Sequence, residues 1–158
     1  MNDMICAFVF PGQGAQHVGM GLDLVSSSKA AKLVFDEVDE ALGINLSTIV
    51  FKGPEEDLKN TMNTQPAILT MSIACLRAME EILGESMPSP SFVAGHSLGQ
   101  YTALIASKSM TLSTAAVLVR ERGRLMQYAS ELNNGGMAAL IGMEDTIIEA
   151  ICSETGTE

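Results

Sequence analysis

The sequence predicts an α/β fold built around a parallel sheet. Two short apolar runs, residues 4–10 and 91–95, each lead into a glycine-containing turn, and segments with helical periodicity lie between them. Uninterrupted apolar runs of this length are typical of strands buried on both faces, as in parallel sheets. Strands that alternate with helices favour parallel pairing. Only these two strands are predicted for the main sheet, which is few for a complete α/β domain.

The helices between the two strands carry clear start and stop signals. Residues 29–42 predict an amphipathic helix that Ser28 caps and Gly43 ends. Pro54 and the three acids after it predict the start of a second helix, with the proline at its first position. Residues 67–83 are apolar almost all round, so they predict a helix that is buried on most sides.

The chain after the second strand continues the alternation. Residues 98–107 and 113–130 predict two helices, and the Asn-Asn-Gly-Gly sequence at 133–136 predicts a break. Residues 137–142 then predict a strand, and residues 144–152 predict the beginning of a further helix.

The composition excludes several classes of protein. Of the 158 residues, 47% are apolar and 18% are charged, which is too apolar and too weakly charged for a disordered chain. The 19 acidic against 9 basic residues give a net charge of −10, which repels phosphate backbones, so we expect no nucleic-acid partner. Residues 86–107 carry no charge, but prolines and glycines interrupt them, so we expect no membrane helix.

The cysteines indicate neither a disulfide framework nor a metal site. Cys6, Cys75 and Cys152 form no Cys-x-x-Cys pair and have no histidine nearby. An odd number of isolated cysteines fits reduced thiols, so we expect a cytoplasmic protein without a bound metal. The N-terminal segment lacks the basic region and long apolar run of a signal peptide, which agrees with that expectation.

The sharpest local signal is Gly-His-Ser-Leu-Gly at residues 95–99. It matches Gly-x-Ser-x-Gly, and the strand predicted before it and the helix predicted after it supply the context of a nucleophile elbow. Such a turn lifts the Ser97 hydroxyl out of the sheet end, and the Leu98 N–H at a helix N-terminus can donate to an oxyanion. The alternative is a glycine-rich turn whose serine only caps the helix.

A serine nucleophile needs a base, and this chain contains two histidines. His96 is next to Ser97, and adjacent side chains at such a turn point in different directions, so we expect His96 to line the site. His17 lies in the glycine-rich loop after the first strand and is most simply a loop residue with no role in proton transfer. The residues therefore predict a nucleophile without a convincing base.

The loop Pro-Gly-Gln-Gly at residues 11–14 is expected to open beside the elbow. In a parallel sheet, the loops at the carboxyl ends of the strands line the ligand crevice. Glycines on both sides of Gln13 let the backbone approach a reacting group, so its N–H is a candidate second oxyanion donor beside that of Leu98. The dinucleotide pattern Gly-x-Gly-x-x-Gly does not match here, and an ordinary turn is the alternative.

Arg122 occupies an unusual position on the helix predicted at 113–130. At 100° per residue it falls in the middle of an apolar stripe, where an unpaired guanidinium is costly. A substrate carboxylate is one candidate partner, because the planar guanidinium binds carboxylates bidentately. A structural ion pair with an internal acid is the other. The predicted stripe consists of Ala115, Leu118, Val119, Leu125, Met126 and Ala129.

Several ordered motifs lie along nearly the whole chain. They read AFVFPGQGAQHVGMG (7–21), GPEEDL (53–58), TQPAIL (64–69), AGHSLGQYTALIA (94–106), VRERGRLMQ (119–127) and GGMAALIGM (135–143). Together they resemble the malonyl-CoA:acyl-carrier-protein transacylase family and the related acyltransferase domains of polyketide synthases. A set of motifs in this order is far more specific than any one of them.

The resemblance implies a role for each matching residue. Ser97 would be the acyl-accepting nucleophile, and the N–H groups of Gln13 and Leu98 would form the oxyanion hole. The family reaction is ping-pong, in which malonyl passes from coenzyme A to the serine and then to the phosphopantetheine thiol of an acyl carrier protein. Malonyl-CoA and acyl carrier protein are the implied partners, and no cofactor is expected because the coenzyme A thioester is itself the substrate.

Three more residues receive roles from the same resemblance. Arg122 would bind the free carboxylate of the malonyl group. His96 would line the site beside the nucleophile, and Gln65 would sit near the site in a supporting role. Gln100 stands where the family commonly has glutamate, and we expect that departure to have a small effect.

The resemblance also implies an α/β-hydrolase-like core with an inserted ferredoxin-like subdomain. Residues 1–132 would belong to the core, and residues 133–158 would begin the subdomain. Family members are about twice as long, so we expect both parts to be incomplete here. The catalytic histidine would then lie in the absent half, or on a second polypeptide that carries it, and this chain alone would have little activity.

Other functions remain open on the sequence alone. A serine hydrolase or thioesterase would use the same elbow, and a non-catalytic fragment would keep the motifs without the activity. The motifs favour malonyl over methylmalonyl, but they do not separate a fatty-acid enzyme from a trans-acting polyketide synthase acyltransferase that selects another acyl-CoA.

Overall fold

The computed structural model describes residues 5–132 and 140–156. Its elements, in chain order, are β1 (Ala7–Phe10), α1 (Leu22–Ser27), α2 (Lys29–Leu42), α3 (Leu46–Lys52), α4 (Glu55–Lys59), α5 (Thr61–Leu83), a 3-10 turn (Gly84–Ser86), β2 (Phe92–Gly95), α6 (Gly99–Ala106), α7 (Leu112–Leu132) and α8 (Asp145–Thr155). The long helices α2, α5 and α7 pack on one another, and α6 packs on both strands. The α/β class predicted from the sequence is confirmed.

The sheet consists of two parallel strands within the described residues. β1 pairs with β2 in a register that runs from Ala7 opposite Phe92 to Phe10 opposite Gly95. The expectation of strands buried on both faces is wrong, because Val9 is 72% exposed and Phe92 is 67% exposed. Alternate strand residues point to opposite faces, and only the face that carries Phe10 meets the core.

Helix α2 has the bounds that its capping signals predict. The Ser28 Oγ accepts a hydrogen bond of 3.0 Å from the Ala31 N–H, and Gly43 ends the helix in the left-handed region at φ 62°. Its buried face consists of Ala31, Val34, Phe35 and Val38. At the next predicted helix start, Pro54 is the N-cap of α4 rather than its first residue.

Helix α5 begins at Thr61, six residues before its predicted start. The Asn60 side chain caps it by accepting from the Met62 N–H at 3.1 Å, and Pro66 lies inside the helix. A proline near a helix start removes only one hydrogen bond of the regular series, so it does not prevent the first turns from forming. The helix is buried on most sides as far as Ala78, as predicted, but Met79, Ile82 and Leu83 near its end are exposed.

The contact between α5 and α7 depends on a glycine. A Cβ on Gly123 would lie 2.5 Å from the Thr61 carbonyl oxygen and 2.9 Å from the Met62 Cα. The two backbones therefore touch at this point, near the start of α5. This close approach sets the first turns of α5 against the middle of α7.

The C-terminal part of the chain is described incompletely. The predicted boundary between residues 132 and 133 and most of the predicted strand 137–142 lie outside the described residues, and residues 140–142 carry no strand. The predicted helix start at 144 corresponds to α8, for which Glu144 is the N-cap. No helix within residues 5–132 and 140–156 is both long and apolar enough to cross a membrane.

Candidate active site

The segment between β2 and α6 is a sharp turn centred on Ser97. β2 ends at Gly95, α6 begins at Gly99, and Ser97 has a φ of 53°, in the left-handed region that non-glycine residues rarely adopt. Strain of this kind costs about 1–3 kcal/mol and persists only where the surrounding structure enforces it. The geometry is that of a strand–turn–helix nucleophile elbow.

Two glycines enforce the turn. A Cβ on Gly95 would lie 2.0 Å from the carbonyl carbon and oxygen of Gly99. A Cβ on Gly99 would lie 2.5 Å from the Phe10 carbonyl oxygen and 2.7 Å from that of Pro11. The elbow therefore folds tightly on itself and rests against the carboxyl end of β1.

The loop after β1 lies directly beside the elbow. The His96 N–H donates to the Phe10 carbonyl at 3.0 Å, and a Cβ on Gly12 would lie 2.6 Å from the His96 Nδ1. Only a glycine lets this loop pass so close to the imidazole. Gln13 is consequently held next to the turn that carries Ser97.

The two candidate oxyanion donors are available for a ligand. Within the described residues, neither the Leu98 N–H nor the Gln13 N–H donates a hydrogen bond. The Leu98 side chain is fully buried, which holds its backbone in place at the start of α6. Unsatisfied donors at a helix N-terminus are suited to a developing negative charge.

Arg122 reaches the elbow from α7. Its Nη2 donates to the Ser97 Oγ at 3.0 Å, and its Nη1 donates to the Gln65 Oε1 at 2.7 Å. Within residues 5–132 and 140–156, no carboxylate lies within 4.0 Å of this guanidinium. The internal ion pair that the sequence left open as an alternative is therefore not formed among these residues.

The predicted surroundings of Arg122 need a correction. It is half-buried at the edge of the buried face of α7, and three members of the predicted stripe are exposed, Leu118 at 44%, Leu125 at 50% and also Ala129. The close contact with α5 places Gly123 on the buried face of α7, so this face differs from the predicted stripe. The buried residues of α7 are Leu112, Ala115, Ala116, Val119 and Gly123.

Gln65 connects Arg122 to the loop after β1. Its side chain is fully buried, its Oε1 accepts from Arg122, and its Nε2 donates to the Gln13 Oε1 at 3.2 Å. Because a guanidinium only donates, the oxygen of the Gln65 amide must face Arg122. A continuous chain of hydrogen bonds thus runs from Gln13 through Gln65 and Arg122 to Ser97.

A family model described as the acyl transferase domain matches residues 7–154 of the chain. The chain belongs to this acyl transferase family. The resemblance drawn from the motifs is confirmed.

Relatives of the acyl transferase chain carry a common name. The malonyl CoA-acyl carrier protein transacylase of Bacillus subtilis (strain 168) is 43% identical over 152 residues, which cover 96% of this chain and 47% of that protein. The protein of the same name from Escherichia coli (strain K12) is 43% identical over 148 residues, with 94% and 47% covered. The acyl transferase chain spans about half the length of the curated relatives it matches.

Solved structures similar to this chain carry related names. The acyl-carrier-protein S-malonyltransferase of Bartonella henselae superposes with a TM-score of 0.82 at 42% identity, over 97% of this chain and 49% of that one. A malonyl-transacylase solved in complex with a type II polyketide synthase acyl-carrier protein superposes with a TM-score of 0.79 at 36% identity, over 96% and 48%.

The two histidines of the acyl transferase chain lie at the elbow and in the loop after β1. Neither hydrogen-bonds to the Ser97 Oγ within the described residues, where the bond to that atom comes from Arg122. His96 is exposed beside Gly12, and His17 is exposed in the loop, where its carbonyl accepts from the Met20 N–H at 3.2 Å. The expectation of a nucleophile without a base stays a prediction.

One contact in the site was not anticipated as part of it. The Met126 Sδ lies 3.2 Å from the Gln65 Nε2, so the thioether is the third group around this amide. Met126 follows Arg122 by four positions on α7, a spacing that puts both side chains on one face of a helix. That spacing was the available signal, but nothing in it identified Gln65 as the shared partner.

Proposed function

We propose that this chain contributes the nucleophile and the carboxylate-binding half of an enzyme that transfers malonyl from malonyl-CoA to an acyl carrier protein. The observation that carries the proposal is the 3.0 Å hydrogen bond between Arg122 and Ser97, made by a guanidinium with no carboxylate partner among the described residues. A free positive charge beside a serine nucleophile fits an acyl group that itself ends in a carboxylate. The names of the relatives support the same substrate.

In the first step, the Ser97 Oγ attacks the thioester carbonyl carbon of malonyl-CoA. A C–O bond forms, the C–S bond breaks, and the hydroxyl proton passes through a base to the departing coenzyme A sulfur. The unpaired N–H groups of Leu98 and Gln13 would stabilise the oxyanion of the tetrahedral intermediate. Removal of one such donor typically costs about 10²- to 10³-fold in rate.

In the second step, the phosphopantetheine thiol of the carrier protein attacks the seryl ester. A C–S bond forms, the C–O bond to Ser97 breaks, and the thiol proton returns to the Ser97 Oγ. Arg122 would hold the malonyl carboxylate through both steps, so the acyl group keeps its position while the thiols exchange. The route serves fatty-acid or polyketide biosynthesis.

The base for both proton transfers is supplied outside the described residues. A general base typically contributes about 10²- to 10⁴-fold, and neither histidine of this chain bonds to Ser97. We therefore propose that the 158-residue chain alone acylates slowly. We also propose that its core is of the α/β-hydrolase type and that residues 133–158 begin a ferredoxin-like subdomain.

The test is whether a malonyl ester forms on Ser97 after malonyl-CoA is added. Peptide mass spectrometry measures the ester. We expect a slow reaction that added imidazole accelerates about tenfold or more, because imidazole can replace the missing base. Ser97→Ala should form no ester under either condition. Arg122→Ala should slow esterification by malonyl-CoA much more than that by acetyl-CoA, which loses only the effect of the hydrogen bond from Arg122 to the Ser97 Oγ.

Two results would contradict the proposal. Absence of any ester on Ser97, with or without imidazole, would remove the serine from the role of nucleophile. Rapid stoichiometric esterification without imidazole would show that the chain already holds its base.

A further inference from the structure

Arg122 differs from the other paired arginines in the charge of its partner. Arg124, two positions along α7, is held by two hydrogen bonds of 2.7 and 2.8 Å to the Glu121 carboxylate, and Arg77 is held by Glu80 at 2.6 Å. Arg122 is held by the neutral amide of Gln65. Its position is therefore fixed while its positive charge is left uncompensated by the described residues.

The Gln65 amide is built into the core in a single orientation. The side chain is 0% exposed, and its oxygen and nitrogen both have partners, Arg122 on one side and Gln13 and Met126 on the other. An unpaired buried amide is costly, so each of these contacts restrains the others. The amide cannot rotate without breaking the bond to Arg122.

The identity of residue 65 therefore controls what Arg122 can bind. A glutamate has nearly the same shape as glutamine, but it would place a carboxylate against Nη1 and neutralise the guanidinium. A charge-assisted pair of this kind is stronger than the neutral hydrogen bond it replaces. The guanidinium would then have much less attraction for an anionic acyl group.

We infer that Gln65 is a positioning residue that sets acyl selectivity: it fixes the direction of Arg122 without consuming its charge, so that the site prefers acyl groups that end in a carboxylate. This inference rests on the proposed function, because the acyl group is selected where Ser97 receives it. Gln65 touches no reacting atom, and it acts only through Arg122 and Gln13.

The test compares the binding of malonyl-CoA and acetyl-CoA to the full 158-residue chain by titration calorimetry. Every protein carries Ser97→Ala, so that neither thioester is consumed. In Gln65→Glu we expect the preference for malonyl-CoA over acetyl-CoA to fall by about tenfold or more. The affinity for acetyl-CoA should stay within about twofold of that of the Ser97→Ala protein with Gln65 intact. Acetyl-CoA lacks the carboxylate, so it reports structural damage separately from lost charge.

A matched control places the same change elsewhere. Gln100→Glu adds the same charge at an exposed position of α6, where Gln100 makes no hydrogen bond with Arg122 among the described residues, and it should leave the preference unchanged. Gln65→Met keeps a similar volume and removes the amide oxygen and nitrogen, so Arg122 stays charged but is no longer held by residue 65. We expect it to lower the preference by less than Gln65→Glu does.

The outcomes separate the two claims. A preference that survives in both Gln65→Glu and Gln65→Met overturns the role of Gln65 and leaves the proposed function standing. An equal loss of affinity for both thioesters also overturns it, because that is the result of general damage. Equal binding of malonyl-CoA and acetyl-CoA by the protein with Gln65 intact would instead count against the proposed malonyl function itself.

Discussion

The two strands contain no polar side chain, whereas the three long helices mix apolar and charged residues, yet the helices are the better buried elements. Val38, Ile73 and Val119, one from each long helix, are 0% exposed, whereas Val9 and Phe92 on the strands are 72% and 67% exposed. The helices bury their apolar faces against one another, and the sheet buries one face only. Stability of this chain therefore comes chiefly from its helices.

The candidate site lies where the sheet is tightly packed. At its carboxyl end, the backbones of Gly12, Gly95 and Gly99 approach other atoms too closely to admit a side chain. The open face of the sheet and the close-packed elbow are only a few residues apart. A rigid elbow on a sheet that is exposed on one face shows that the precision of a site depends on local backbone contacts more than on overall burial.

The largest effect should come from closing the space in the elbow. Gly95→Ala would place its Cβ 2.0 Å from backbone atoms of Gly99, which cannot move aside as a flexible side chain could. We expect imidazole-assisted esterification of Ser97 to slow by about 100-fold or more, because a displacement of about 1 Å is enough for such a loss. Peptide mass spectrometry measures the rate.

Gly43→Ala is the control for this substitution. Gly43 is also constrained, at φ 62°, but a Cβ there meets nothing within 4 Å. It should cost about 1–2 kcal/mol of stability, the penalty for a left-handed residue, and should leave the esterification rate unchanged. Comparable rate losses in both variants would mean that the elbow is no more constrained than an exposed helix end.

Truncation of one side chain in the helices and one in the sheet compares how much each region contributes to the free energy of unfolding. Ile73→Ala in α5 should lower the free energy of unfolding by about 2–5 kcal/mol, because it leaves a cavity among fully buried residues. Val9→Ala on the exposed face of β1 should change it by no more than about 0.5 kcal/mol. Urea denaturation monitored by circular dichroism measures both, and equal losses would refute the comparison.

The smallest effect concerns Arg124, an exposed arginine of α7. Hydrogen bonds and the charge of Arg124 lower the pKa of Glu121 from its ordinary value of 4.5. Because the folded pKa is lowered, the stabilisation is present above the ordinary value and is lost as the pH falls through the lowered one. In Arg124→Gln the Glu121 pKa, followed by carboxyl NMR, should rise towards 4.5, while malonyl-CoA binding should not change.

An unchanged Glu121 pKa in Arg124→Gln would mean that the pair seen on α7 does not persist in solution. A change in malonyl-CoA binding would instead show that Arg122 and Arg124 share one role. Either result would contradict the distinction between Arg124, which pairs with Glu121, and Arg122, which Gln65 holds.

Local patterns were sufficient for most elements. The bounds of α2 follow from Ser28 and Gly43, because capping depends on residues within a few positions of each other. The start of α5 could not be read in the same way. The predicted start was residue 67, whereas the Asn60 cap and the contact with Gly123 explain why the first turns form from Thr61.

The family, the α/β class and the candidate nucleophile can all be inferred from the amino-acid sequence, since each depends on short runs of adjacent residues. The exposed face of the sheet, the buried side of α7 and the partner that holds Arg122 depend on packing between distant segments. Gln65 and Arg122 are 57 positions apart, and they meet because α5 and α7 touch at Gly123. A partner that distant is chosen by packing between helices, and the periodicity of either helix alone does not contain it.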